Sequence, residues 1–348
     1  MLTLALLATA GASAYFYLTK VALPSPIAQS PPLNNGHPVI IEPVKPFTPE
    51  PAPVTPVEPA PIPKDPAPVS TTKLAGAIVA SIDNYVSARP QSGLDKADLV
   101  VEMIAEGGIT RFLAFFYSKP APLLGPIRSA RYYFVQIVKP FNVPFAHAGG
   151  AQQALDLIKE LKVPDICEIY NSSAAFWRDT SRAAPSNLYT STTRLINEVH
   201  KKGLSLSILP KLPFGIMTDG KKASKITLTY SPSYNTSWTL ENNRYLRYIN
   251  GKPHTMKDGA KLYADTIVVL AAPHRNVYEG TLLRTDIDII GSGAARFFRD
   301  GFWWEGTWEK KSAITHFEFL VDGQTFQFNE GITWIQVLPS LNSLTVTN

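Results

Sequence analysis

Between residues 74 and 205, short apolar runs alternate with stretches of helical period. Residues 77–82, Ala-Ile-Val-Ala-Ser-Ile, form an apolar run of the length that a buried strand has. Residues 98–104 form another, Gly107-Gly108 breaks the chain, and residues 109–117 resume it, which predicts a hairpin. Ile127, Ala130, Phe134, Val138 and Phe141 recur at helical spacing, so a helix is expected over 128–138. Residues 143–146 read as a strand. Gly149-Gly150 then opens a helix whose apolar face is Ala151, Ala154, Leu155, Ile158 and Leu161. A last helix runs over 192–202, capped by Ser191 and stopped by Gly203. Strands interleaved with helices predict a mixed α/β sandwich domain over 73–205.

The pattern changes after residue 205. Short runs at 225–230, 237–240, 245–249, 266–270, 285–290, 296–298, 302–308, 325–328 and 333–337 are separated by turn pairs such as Asn250-Gly251, Asp300-Gly301 and Asp322-Gly323. This predicts an all-β domain, barrel- or sandwich-like, over 206–348. The chain as a whole therefore reads as α+β, with the junction within 204–213.

The first 72 residues fit neither pattern. Residues 1–18 carry no charged side chain. As a helix they rise roughly 27 Å, close to the hydrocarbon core of a bilayer. Residues 1–20 are thus expected to be a transmembrane anchor or, given Ala12-Ser13-Ala14, a cleaved signal peptide. The lone Lys20 after the apolar run would, by the positive-inside rule, favour a cytoplasmic body. Sixteen of the 30 prolines fall between Pro24 and Pro68. Proline removes a donor and fixes φ, so 21–72 is expected to be a disordered, semi-rigid linker of polyproline type.

Composition narrows the possibilities further. The only cysteine is Cys167, which excludes an internal disulfide and a multi-cysteine zinc site. Three of the 33 basic and four of the 28 acidic residues precede residue 73, leaving 30 against 24 in the body. That is a mild bias towards anionic partners, and nucleic acid is not expected.

Four segments could carry chemistry. In Gly125-Pro126-Ile127-Arg128-Ser129-Ala130-Arg131, two guanidinium groups at the start of an expected helix could clamp a phosphate or carboxylate, or could pair with nearby acids. His147-Ala148-Gly149-Gly150 ends a strand ahead of a helix, a place where α/β sheets bind ligands. Arg178, Asp179 and Arg182 lie on an irregular segment before Pro185. Asp83 and Asp98 could hold Mg²⁺ through oxygen ligands, with Glu102 and Glu106 also acidic; Asp83 and Arg89 could equally fix a turn. Cys167 sits among acidic and apolar residues, a setting not expected to lower its pKa. Tryptophans 303, 304 and 308 are expected in a core; exposed, they would form a carbohydrate platform. Familiar hydrolase, metalloprotease and phosphate-loop signatures are absent from the sequence.

Several of these stretches carry a resemblance. Residues 88–94 (Ala-Arg-Pro-Gln-Ser-Gly-Leu), 106–112 (Glu-Gly-Gly-Ile-Thr-Arg-Phe), 125–131, 178–189, Gly291-Ser292-Gly293, Glu305-Gly306-Thr307-Trp308 and Thr333-Trp334-Ile335 are similar to motifs of the YerB-like lipoprotein family. Its N- and C-terminal domains have no settled function. The resemblance spans about 74–338 and implies a body tethered outside the cytoplasmic membrane. This chain departs from the family in lacking a lipidation cysteine, so the apolar helix would replace the lipid. The N-terminal half also faintly resembles the LytR-CpsA-Psr phosphotransferases, which act on polyprenyl-pyrophosphate-linked glycopolymers with Mg²⁺. That likeness implies a pyrophosphate clamp at Arg128 and Arg131 and a metal at Asp83 and Asp98. Ser129 departs from the Asp that those enzymes carry.

The resulting expectation is a membrane-tethered extracytoplasmic envelope protein that binds an anionic ligand or a protein partner without turnover. Arg89, Arg128, Arg131, His147, Arg178 and Arg182 would form the anion site. The alternatives are Mg²⁺-dependent phosphotransfer and carbohydrate binding.

Overall fold

A computed structural model describes residues 73–279 and 282–348. The chain divides into Met1–Val57 and Glu58–Asn348, and the described residues belong to the second unit. The anchor expected over 1–20 and the linker over 21–72 lie outside the described residues. Among those that are described, no helix is long and apolar enough to cross a membrane.

The first apolar run forms β1 (Ile78–Asp83), and the expected hairpin forms β2 (Leu99–Glu106) and β3 (Ile109–Phe116). A helix α1 (Tyr132–Val138), β4 (Phe145–His147), α2 (Gln152–Glu160), β5 (Asp165–Cys167) and α3 (Thr192–Lys201) follow. Ser191 caps α3 by accepting from the Arg194 amide at 3.2 Å. α3 then buries Leu195 and Val199.

One 12-stranded sheet runs through both halves of the sequence. From its edge the order is β5, β4, β1, β3, β2, then Thr333–Leu338, Thr266–Ala271, Gly291–Arg299 and Phe302–Lys310. The strand Thr333–Leu338 lies parallel between β2 and Thr266–Ala271, with Leu99 opposite Thr333 and Ala271 opposite Leu338. All six of its residues are buried. Covered on both faces, such a strand reads as a continuous apolar run. A 6-stranded sheet built from the later half includes Lys225–Ser231, Tyr234–Glu241 and Arg244–Ile249. The structure is therefore sheet-rich with few helices, and the C-terminal strands are shared between the two sheets. They do not close into a separate barrel.

Alternation along the central strands builds two cores. Ile78, Ala80 and Ile82 face a cluster containing Leu195, Leu228 and Trp238. Val79, Leu113 and Phe115 face one containing Phe134, Val138 and Leu157, beneath α1 and α2. Side chains two apart on a strand share a face, so Ser81 and Asp83 belong to the α1 side.

Between the sheets lies a buried ionic network. Glu102 of β2 and Arg247 are both fully buried and 2.8 Å apart. Glu102 also accepts from Tyr234 at 2.7 Å, Thr110 at 2.8 Å and Gln336 at 2.9 Å. The Arg247 guanidinium stacks 4.7 Å from the Trp334 ring and 5.1 Å from that of Trp238. Burying two charges costs free energy unless each is paired and hydrogen-bonded, a condition largely met here.

Two local expectations differ. Helix α1 begins at Tyr132, not at residue 128, because the backbone of 127–130 is used in other pairings: Arg128 N donates to Ser81 O, Ala148 N donates to Arg128 O and Ala130 N donates to Gly149 O. Of the three tryptophans, Trp304 and Trp308 are interior. Their indole N–H groups donate to Thr218 O at 2.7 Å and Ala271 O at 2.8 Å. Trp303, half-buried, stacks on Phe298. The three do not form an exposed platform.

Candidate functional site: an arginine hollow at the strand ends

The segment 125–131 crosses from the end of β1 to the end of β4. It thereby holds Arg128 and Arg131 over the carboxyl ends of parallel strands, where open α/β sheets place ligands. Asp83, the last residue of β1, lies opposite Arg111, the third residue of β3. Arg128 Nε is 3.5 Å from Asp83 Oδ2, and Arg111 donates to Ser129 O at 3.0 Å. Glu106 closes β2. Strict alternation would aim it with Glu102 and Ile104, but the β2–β3 register shifts between Ile104 and Glu106. A bulge of this kind re-aims a side chain. The Glu106 carboxylate meets Arg131 and Arg284 through one oxygen and lies 4.0 Å from Arg111 through the other. Arg284 comes from the later half of the chain, on the hairpin His274–Glu279 and Leu282–Ile287.

Four guanidinium groups thus surround two carboxylates. Arg111 is 3% and Arg131 5% exposed. The Nε atoms of Arg111, Arg128 and Arg131 are buried and make no hydrogen bond. Burial and the neighbouring Arg131 pull the Arg111 pKa down to about 9 against the pull of Asp83 and Glu106. Burial pushes Glu106 up, but Arg131, Arg111 and Arg284 outweigh it and hold the carboxyl below its ordinary range. A cavity of about 100 Å³ opens beside Arg131 and Arg284, walled by Tyr133, Val277 and Tyr278. It shares Tyr132, Gln153 and Asp286 with a wider cleft of about 600 Å³. The attraction for an anion comes from the guanidinium groups, since both arginines precede a helix of seven residues.

The other expected site residues lie elsewhere. Arg89 donates to Asn84 Oδ1 at 3.1 Å and Asn84 O at 2.7 Å, with its guanidinium over the Tyr234 ring. Arg182 clamps the turn after β1, donating to the carbonyls of Ser87, Arg89 and Pro90. Arg178 pairs with Glu168 at 3.3 Å and Asn187 at 3.0 Å. His147 is fully buried, with its ring nitrogens 2.7 Å from Gly149 O and 2.7 Å from Asp165 Oδ1. Of the six residues expected to gather, the hollow holds Arg128 and Arg131. Arg111 and Arg284 were not singled out. Arg111 had a signal, because period two along β3 puts it on the face of Leu113 and Phe115. A cation at that phase of an apolar run requires a partner in the interior.

The expected metal pair is not formed. Asp98 precedes β2 and accepts from the Tyr117 and Ser118 amides at 2.6 and 3.0 Å, beyond the last residue of β3. Asp83 stands opposite the start of β3, so the two carboxylates lie at opposite ends of that strand. Cys167 also differs from expectation. Burial raises its pKa, but the adjacent His147 and the Gly149 amide, 3.3 Å from Sγ, outweigh this and lower it. In turn burial lowers His147, while Asp165 and Cys167 push it up to about 9. Cys167 itself is buried.

Fold and hollow together define a sheet-rich α+β protein with an arginine-lined recess at its strand ends. Two family models match the chain: "Protein of unknown function (DUF3048) N-terminal domain" over residues 67–205 and the corresponding C-terminal domain over 226–335. The "Putative lipoprotein YerB" of Bacillus subtilis (strain 168) is 30% identical over 280 residues, covering 78% of this chain and 83% of that protein. The crystal structure of the YerB protein from Bacillus subtilis superposes with a TM-score of 0.73 at 28% identity, over 80% of this chain and 95% of that one. The chain belongs to the YerB-like family that these two domains of unknown function define.

Proposed function

We propose that this protein is a membrane-tethered, extracytoplasmic member of its family whose arginine hollow binds a phosphate- or carboxylate-bearing envelope ligand without turnover. Tethering is supported by the charge-free residues 1–18, the proline tract behind them and the lipoprotein description of the Bacillus subtilis relative. The observation that carries ligand binding is the convergence of Arg111, Arg128, Arg131 and Arg284, with the buried Nε donors of Arg111 and Arg131 unbonded. Unsatisfied donors of this kind are costly unless a partner arrives. The same hollow also suits a carboxylate presented by a protein partner.

Calorimetric titration of the full chain with inorganic pyrophosphate tests this. Binding is expected, weakening with added salt as guanidinium–anion contacts do. Arg128→Gln should weaken it about tenfold, the worth of a charge-assisted hydrogen bond. Absence of binding by the wild-type chain, or equal binding by the variant, would refute the reading.

A further inference from the structure

The hollow already holds an anion, supplied by the chain itself. One oxygen of Glu106 faces Arg131 and Arg284 while the other faces Arg111, which is how a small oxyanion would be shared. The surrounding arginines and the carboxylate differ in accessibility. Arg111 and Arg131 are buried, whereas the Glu106 side chain is 38% exposed. Its backbone also has room to turn. Glu106 follows the register shift and precedes Gly107 and Gly108, whose φ values are +57° and +73°. The room is at Gly107, where nothing lies within 4 Å of a notional Cβ; one on Gly108 would stand 2.7 Å from Ser231 Cβ, so Gly108 is the fixed end of the turn. This conformation is open to glycine at no steric cost.

We infer that Glu106 is an internal stand-in for the ligand, which an incoming oxyanion of two or more charges displaces from the arginines. The inference rests on the anion-binding reading above and specifies the ligand class. A tethered carboxylate competes at a high effective concentration. A free monoanion making the same contacts therefore cannot expel it. A multiply charged oxyanion can. With Glu106 swung out, Arg111, Arg128 and Arg131 face Asp83, an excess that favours two negative charges. Asp286, which borders the adjoining cavity, shares Arg275 with Asp288, so the site's attraction for an anion is confined to the guanidinium groups around Glu106. Because Arg284 belongs to the later half of the chain, displacement also trades an internal bridge between the halves for one made through the ligand.

The experiment is a calorimetric titration of the full chain and of Glu106→Gln with pyrophosphate and with acetate. The variant should bind pyrophosphate about tenfold more tightly, and acetate should bind the variant but not the wild type. Should the wild type bind pyrophosphate while Glu106→Gln binds it equally or less well, the stand-in role falls and the anion site stands. Should neither bind, both fall. A second measurement needs no variant. In wild-type protein carrying carbon-13 in its glutamate carboxyl groups, saturating pyrophosphate should move the Glu106 titration midpoint up towards the ordinary carboxylate value. An unchanged midpoint overturns the inference even if the variant fails to fold.

Discussion

Individual side chains here show how burial changes chemistry. Lys310 is 1% exposed, and burial lowers its pKa to about 8. In the unfolded chain it returns to about 10.4, so between about 8 and 10.4 the unfolded state binds more protons and stability rises with pH. Chemical denaturation across that window should show the rise, and Lys310→Met should flatten it and raise stability at neutral pH. Glu102 makes a sharper case. Glu102→Ala leaves Arg247 charged and unpaired in the interior, and should cost about 3–5 kcal/mol in urea unfolding. The sequence marked Glu102 as acidic but offered no way to find its partner, because Arg247 lies 145 positions away on another sheet. Arg111 was legible in principle from strand phase. Glu106 was legible as an acid but not as a member of the hollow, since one shifted register reverses the face that alternation assigns.

At the scale of elements, the long periodic runs were read correctly: the β2–β3 hairpin and α3 fall within a residue or two of expectation. The start of α1 was not, because helical period continues through 127–130 while backbone partners from β1 and β4 claim the same residues. Family motifs acquire reasons at this scale. In Glu305-Gly306-Thr307-Trp308, a Cβ on Gly306 would lie 2.0 Å from the Leu320 carbonyl oxygen and 2.8 Å from the Phe297 ring. Gly306→Ala must push Phe302–Lys310 away from Glu318–Val321. We expect it to cost about 1–3 kcal/mol, the range for overpacking, measured as a lowered denaturation midpoint with unchanged slope.

For the whole molecule, the strand Thr333–Leu338 matters most. It comes from the end of the chain, yet it fills the place beside β2 near the middle of the larger sheet. Local patterns found that strand but not its neighbours, and parallel pairing across more than 200 residues leaves no local trace. The described body should therefore unfold in one transition, with calorimetric and van't Hoff enthalpies equal. Separate expression of 73–205 should give a chain that lacks a cover for β2 and a partner for Glu102, and circular dichroism should find no cooperative melt. Two independent transitions in the full chain would contradict this view.

The direction of β1 has a spatial corollary. The backbone enters beside Tyr117, where Leu74 donates to the Tyr117 carbonyl, and leaves the six-residue strand β1 at Asp83. At about 3.3 Å per residue the strand spans roughly 20 Å. Lys73 and the guanidinium groups thus lie towards opposite ends of β1.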